Sequence, residues 1–223
     1  MSLISMRKVC KNYNMGSTIV KALNMVDLDI ETSEFIALWG PSGSGKSTLL
    51  NLIGSIDTPS SGKMLISGQD ISQLSENLRA ELRNNCIGFI FQRFNLIPVL
   101  SALENVMLPL QISSCCFSDA KQKALKRLDD VGLSGFIRHR PDKLSGGQQQ
   151  RVAIARALVT SPSIVIADEP TANLDSETSK KIIQLMRKLN QQEKTTFVFS
   201  THDQRLLDNV DRLVEIEDGC IKE

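Results

Sequence analysis

The chain has almost no excess charge, because 26 lysines and arginines stand against 25 aspartates and glutamates. No global field therefore draws it to nucleic acid or to an anionic membrane, and partners have to be recognised by specific surface. The five cysteines, Cys10, Cys86, Cys115, Cys116 and Cys220, are odd in number and lack C-x-x-C spacing. That pattern suggests neither a disulfide framework nor a zinc site, and a reducing cytosol is the simplest home. No apolar run approaches the roughly 18 residues of a spanning helix. The opening Met1-Ser2-Leu3-Ile4-Ser5-Met6-Arg7-Lys8 lacks the basic-then-apolar order of a signal peptide. We therefore expect no direct membrane insertion, so that at a membrane something else must hold the chain. Internal repeats and low-complexity tracts are also missing. At 223 residues there is room for one α/β domain with a sizeable insertion.

What is present is a loop, Gly40-Pro41-Ser42-Gly43-Ser44-Gly45-Lys46-Ser47-Thr48. It follows the apolar run Phe35-Ile36-Ala37-Leu38-Trp39 and leads into Leu49-Leu50-Asn51-Leu52-Ile53. The order is strand, glycine-rich loop, helix, and the loop fits G-x-x-x-x-G-K-[ST] in the context that pattern needs. Glycine lets the backbone approach a ligand closely with successive N–H groups aimed at phosphate oxygens. The helix starting at Lys46 adds roughly half a positive charge at its N-terminus. Lys46 is placed to reach the terminal phosphates, and the Ser47 hydroxyl to ligand a Mg2+ bridging them. Binding of a nucleoside triphosphate is the working premise.

Along the rest of the chain, residues 3–9, 19–30 and 35–38 read as strands. Tyr13, the single tyrosine, falls between the first two; it is either a half-buried loop aromatic or a face for an adenine ring. A short strand is expected at 63–67, a helix at 75–84, and a buried strand at 86–91 that ends on Gln92. A polar residue at a strand's carboxyl end is a candidate for the metal or the attacking water, and equally a strand-end hydrogen bonder. From about 93 to 141 the pattern turns helical. Ser101 and Glu104 form a capping box and Ser118 is read as the next cap, which marks an inserted helical subdomain. Strand chemistry resumes at 163–167 and closes on Asp168 and Glu169. Asp168 is placed to hold Mg2+, and Glu169 to accept a proton from, or orient, the attacking water. Asp175 caps a helix running to about residue 192, with the stripe Ile182, Ile183, Met186, Leu189. The strand at 195–200 leads to His202, which is placed to donate to a γ-phosphate oxygen. His139, between Arg138 and Arg140, reads as solvated. The chain closes with a strand at 213–216, a turn at Asp218-Gly219 and a short edge strand.

A second glycine loop, Leu144-Ser145-Gly146-Gly147-Gln148, feeds the helical run from Gln149 to Leu158. Ser145 with the Gly146 and Gly147 amides either holds phosphate or is an ordinary capped helix start. At these residues the sequence resembles the ATP-binding-cassette ATPases, whose signature is LSGGQ, and the resemblance covers nearly the whole chain. It implies an α/β fold: a P-loop NTPase, RecA-like core (1–92 and 142–223) with an N-terminal antiparallel β subdomain and an inserted α-helical subdomain (about 93–141), all in one domain. It implies that Tyr13 stacks on adenine, that residues 40–48 are the Walker A loop and that Gln92 is the Q-loop glutamine. It further implies that Asp168 is the Walker B aspartate, Glu169 the catalytic glutamate, Asp175 the D-loop aspartate and His202 the switch histidine. In that family ATP is clamped between Walker A of one copy and the signature, here Ser145 to Gln148, of a second. The dimer drives an integral membrane permease from the cytoplasmic face of the inner membrane.

A narrower likeness lies in Gly88-Phe89-Ile90-Phe91-Gln92-Arg93-Phe94-Asn95-Leu96-Ile97-Pro98, Ala102-Leu103-Glu104-Asn105-Val106, His139-Arg140-Pro141 and Thr171-Ala172-Asn173-Leu174-Asp175. These stretches are similar to the LolD/MacB branch, the ATPases of lipoprotein release and of macrolide or peptide export, with the cell-division ATPase FtsE nearby. The stretch at 93–98 is where family members meet their permease. Three positions depart from the pattern: Trp39 stands for a small aliphatic, Ser33 for the glycine before the acid, and Ala172 for a frequent glycine. Two other classes stay in play. A nucleotide-kinase-type phosphotransferase shares the phosphate loop, although the signature and the Asp168-Glu169 pair argue against it. The other is a non-transport mechanical module, such as an FtsE-like regulator or a cassette ATPase of cofactor assembly.

Overall fold

The computed structural model describes residues 2–222 apart from Ser17 and Ser114. Two long strands, β1 (Ser2–Met15) and β2 (Thr18–Glu31), form an antiparallel ribbon. Next come β3 (Phe35–Trp39), α1 (Lys46–Ile53), β4 (Ser61–Ile66), β5 (Gln69–Asp70), α2 (Glu76–Cys86) and β6 (Ile87–Ile90). Three helices then intervene, α3 (Ala102–Ile112), α4 (Phe117–Asp130) and α5 (Gly146–Leu158). The chain ends with β7 (Ile164–Ala167), α6 (Ser176–Glu193), β8 (Thr196–Thr201), β9 (Arg212–Glu217) and β10 (Cys220–Ile221). The strands make two sheets, ordered β2-β1-β4-β5 and β10-β9-β3-β8-β7-β6. The second is parallel from β9 to β6. This is the expected α/β architecture, with the helical stretch entered after β6.

The parallel sheet is a wall between two cores, which explains why its strands read as unbroken apolar runs. Side chains alternate across a strand. Phe35, Ala37, Val165, Ala167, Phe197 and Phe199 face the core built with α3 to α6. Ile36, Leu38, Ile164, Ile166 and Val198 face the core shared with α1 and the antiparallel sheet. Phe35 lies 5.7 Å from Phe197 and 5.2 Å from Phe199, ring centre to ring centre. Truncating one such buried ring to alanine costs about 3–5 kcal/mol. On α6 the stripe Ile182, Ile183, Met186 and Leu189 is buried as its period requires.

Because β3, β6, β7 and β8 run in one direction, their carboxyl ends share one edge of the sheet. That edge is where open parallel sheets bind ligands. The loop after β3, Gln92 after β6, Asp168 and Glu169 after β7, and His202 after β8 are therefore gathered there by topology.

The structure corrects two local expectations. Tyr13 does not sit in a loop: β1 runs on to Met15 and places the tyrosine opposite Val20 of β2. Register shifts along the ribbon absorb the uneven pattern that hid the longer strand. Ser118 is not the cap of α4, which starts at Phe117 with Cys116 in the cap position. The Ser118 hydroxyl lies inside the first turn and donates to Asp119 Oδ1 at 3.3 Å, and no side chain caps the helix. The departure at Ser33 also has a physical reading. Its φ is +66°, where glycine costs nothing and other residues about 1–2 kcal/mol. Its Oγ donates to Lys194 O and its N–H to Thr196 Oγ1, both at 2.8 Å, and these bonds offset the strain.

Candidate active site

The loop between β3 and α1 is shaped by neighbouring backbone. A Cβ added to Gly40 would lie 2.1 Å from Ile216 O of β9, and one added to Gly45 would lie 2.6 Å from Ala22 O of β2. Gly45 stands at the N-cap of α1 with φ +107° and no side chain caps that helix. The first amides of α1 are thus left for a ligand, with the positive end of the helix behind them. Gly219 N donates to Ser44 O at 2.9 Å and ties the loop to the β9–β10 turn. Lys46 is only 8% exposed. Its Nζ donates to Gly40 O and Pro41 O, both at 2.8 Å, so the ammonium is held at the loop's mouth. The Ser44 hydroxyl is buried with no partner among the described residues.

A continuous polar chain crosses the sheet edge from there. Ser47 Oγ donates to Asp168 Oδ1 at 3.3 Å, and Ser200 Oγ donates to the same oxygen at 2.7 Å. Ser200 Oγ also accepts from Glu169 N at 2.8 Å. Glu169 has φ +45°, which for a non-glycine residue is strain stored at the site. His202 Nδ1 lies 3.2 Å from Glu169 Oε1. Gln92 joins through its backbone, its carbonyl accepting from Asn173 Nδ2 at 2.8 Å. The Gln92 side chain is exposed and makes no hydrogen bond among the described residues.

Tyr13 is fastened beside this loop. Its hydroxyl donates to Asp57 Oδ2 at 3.0 Å, and Lys11 Nζ lies 5.0 Å from the ring centre. Burial, with Asp57 adjacent, raises the phenol above its ordinary value. Burial also pushes the Asp57 carboxyl up, but Lys11, the Thr58 amide and the Tyr13 hydroxyl outweigh it and hold the group below the usual carboxylate range.

The second glycine loop is built differently. Ser145 caps α5: its Oγ accepts from Gln148 N at 3.3 Å while its own N–H donates to Gln148 Oε1 at 2.8 Å. Gln148 is thereby committed to a capping box, and Gly146 and Gly147 form the first helical positions. Asp175 Oδ1 caps α6, accepting from Thr178 N at 2.9 Å and Glu177 N at 3.1 Å. Bonds from Thr178, first of all, hold that carboxyl below its ordinary value. Residues 145–148, Asn173 and Asp175 line one cavity of about 340 Å³, and none of residues 40–48 borders it. No hydrogen bond joins the two glycine loops among the described residues.

Set against known proteins, residues 23–172 match the ABC transporter family. The chain belongs to the ABC transporter family. As an ATP-binding subunit of an ABC transporter it is 45% identical over 219 residues to the lipoprotein-releasing system ATP-binding protein LolD of Legionella pneumophila (strain Paris), covering 98% of this chain and 96% of that one. It is 47% identical over 220 residues to the macrolide export ATP-binding/permease protein MacB of Bdellovibrio bacteriovorus, covering 99% of this chain but 33% of the longer relative. A solved dimeric ATP-binding cassette in a post-hydrolysis state, bound to ADP and Pi, superposes with a TM-score of 0.90 at 44% identity, over 99% of this chain and 97% of that one.

Three residues of this ABC subunit's site escape a reading of the sequence. Ser200 lies fully buried between the two acids. Asn173 holds the Gln92 carbonyl, and Asp57 holds Tyr13. Ser200 does leave a trace, a polar residue inside a buried run, but its pairing with Asp168 depends on β7 and β8 being neighbours.

Proposed function

We propose that this ABC subunit hydrolyses ATP at a site completed by a second copy, and that the resulting dimer drives a membrane permease. The observation that carries the reading is the separation of the two glycine loops within one chain. Residues 40–48 form a concave grip with free helix amides. Residues 145–148 form a small-residue helix end that lines a cavity bordered by none of residues 40–48. A nucleotide gripped by the first leaves its outer phosphate for the second loop of another copy.

Within one copy the ring of Tyr13 would carry the adenine, and Gly40, Pro41, Ser42, Gly43, Ser44, Gly45, Lys46 and Thr48 the phosphates. The donor set also fits Mg2+. Ser47 Oγ and Asp168 Oδ1 are hard oxygens already within hydrogen-bonding distance, with Gln92 the further ligand. Among the described residues no three His, Cys, Asp or Glu side chains cluster as a metal site; with few protein oxygens, phosphates and water would supply the ion's remaining ligands. When bound, the ion neutralises charge on the transferring phosphoryl group. Glu169, held by Ser200 and His202, orients the attacking water and takes its proton. His202 donates to the γ-phosphate oxygen. Ser145, Gly146, Gly147, Gln148 and Asp175 act across the dimer.

The likeness to LolD and MacB supports work in lipoprotein release or macrolide export. No helix among the described residues is long and apolar enough to cross a membrane. We therefore infer a peripheral position on the cytoplasmic face of the inner membrane, with residues 93–141 as the helical subdomain and exposed Ile97 and Val99 toward the permease. The decisive variant is Glu169→Gln. Turnover should fall by about 10²–10⁴-fold, while ATP produces a stable dimer by light scattering after gel filtration. A monomer with undiminished turnover would sink the reading.

A further inference from the structure

Arg156 lies half-buried on α5, and burial lowers its pKa. No carboxylate pairs with it among the described residues. Its Nη2 donates to Phe94 O at 2.7 Å and its Nη1 to Asn95 O at 2.5 Å. A half-buried cation without an anion loses part of its hydration, so retaining one calls for a partner that an apolar side chain could not serve.

The two carbonyls show the reason. Phe94 and Asn95 both have positive φ, +60° and +48°. Two consecutive non-glycine residues in that region cost about 1–2 kcal/mol each and persist only if the surroundings over-determine them. The turn has its own tight bonds, Phe94 N to Phe91 O at 3.0 Å and Asn95 N to Arg93 O at 2.6 Å. Its carbonyls point outward from those bonds into the fork of Arg156. Guanidinium presents parallel donors in a fixed plane, which a lysine cannot copy. On the other side, Asn173 grips Gln92 O. The backbone that carries Gln92 is thus pinned at Gln92 by the segment after β7, and two residues later by α5.

We propose that Arg156 is a positioning residue, which fixes the backbone turn after Gln92 and so aims the Gln92 side chain at the Ser47 and Asp168 oxygens. The inference rests on the metal role given to Gln92 above. Through Arg156, the helix whose first turn is the Ser145 loop also sets the geometry on the first loop's side of the site.

The test uses the intact chain with Arg156→Lys, Arg156→Ala, Gln92→Ala and the double variant. Half-saturating Mg2+ for ATP hydrolysis should rise about 10–100-fold in Arg156→Ala, the range for partners that orient a metal's ligands. ATP affinity measured in EDTA should stay within about twofold, since residues 40–48 are untouched. The double variant should show no larger rise than Gln92→Ala alone, because both remove the same contact. Hydrogen exchange should quicken at the Phe94 and Asn95 amides in Arg156→Lys and Arg156→Ala while other segments keep their protection. An unchanged Mg2+ requirement in Arg156→Ala beside a raised one in Gln92→Ala overturns the inference. So does a parallel fall of metal-free ATP affinity and thermal midpoint, which marks a merely structural side chain. If Arg156→Ala does not fold, Arg156→Lys carries the same comparisons. If Gln92→Ala leaves the requirement unchanged, the metal role of Gln92 fails, and unchanged exchange in Arg156→Lys then removes the positioning role as well.

Discussion

Glycine stands in both loops of the site, but what an added Cβ would meet differs. In the first, Gly40 and Gly45 are dictated by backbone, since an added Cβ would meet Ile216 O at 2.1 Å or Ala22 O at 2.6 Å. Gly43 has open space and φ +81°, so there conformation alone demands it. In the second, the obstacles are side chains: Thr178 Cγ2 at 2.7 Å from a Cβ on Gly147, and Leu174 Cδ2 at 3.2 Å from one on Gly146. The helix ends differ in the same sense. α1 has no side-chain cap, whereas α5 is closed by Ser145 and Gln148. One loop is a cradle that leads into a helix start with no side-chain cap. The other is a packed, capped helix end that offers a small, smooth surface, which is what a second copy's nucleotide would approach.

The largest effect should come from emptying the cradle. Lys46→Ala removes the ammonium at its mouth, and ATP turnover should fall by about 10²–10³-fold, the loss seen when one preorganised donor to developing charge is deleted. Calorimetric titration should show ATP binding lost with it; normal affinity would mean the first loop does not grip phosphate. Next come the glycines. Gly147→Ala should cost about 1–3 kcal/mol as overpacking between α5 and α6, read from urea unfolding. Gly43→Ala should cost about 1–2 kcal/mol of backbone strain. Replacing Thr178 by serine should relieve the first and leave the second unaltered. Equal relief of both would show that the two loops do not differ as described.

How much of this was legible depends on whether a feature is local. The strands ending in Gly40, Gln92, Asp168 and His202 are buried on both faces, so each prints a continuous apolar run with its polar payload at the end. Asp175 and Ser101 read correctly because a cap depends on its own next three residues. Ser200 could not be assigned, because its partners Asp168 and Glu169 come from a strand some thirty positions away whose adjacency the parallel sheet creates. Arg156 is one charge within a helical run, and its tie to the turn at Phe94 and Asn95 depends on a contact some sixty positions away. Tyr13 was misplaced since register shifts blurred the alternation that would have extended β1.

The smallest effect lies in two carboxylates, one supporting each loop. Asp57 and Asp175 both have folded pKa values depressed below the ordinary one. A depressed carboxyl contributes stability that is fully present above the unfolded value of about 3.9 and is lost as pH falls through the folded value. Both should therefore add to acid lability below about pH 4, yet they should differ at neutral pH. Asp57 bonds Lys11, which is only 9% exposed, so Asp57→Asn should cost about 1 kcal/mol at pH 7, with the gap to the parent narrowing in acid. Asp175 works by accepting two helix amides, and asparagine caps a helix about as well, so Asp175→Asn should keep the parent's unfolding midpoint at pH 7. Unfolding midpoints at pH 7 and pH 3.5 separate the cases. If Asp175→Asn is as damaging at pH 7 as Asp57→Asn, then charge and not cap geometry holds the second loop's surroundings, and the contrast between an electrostatic cradle and a packed helix end no longer stands.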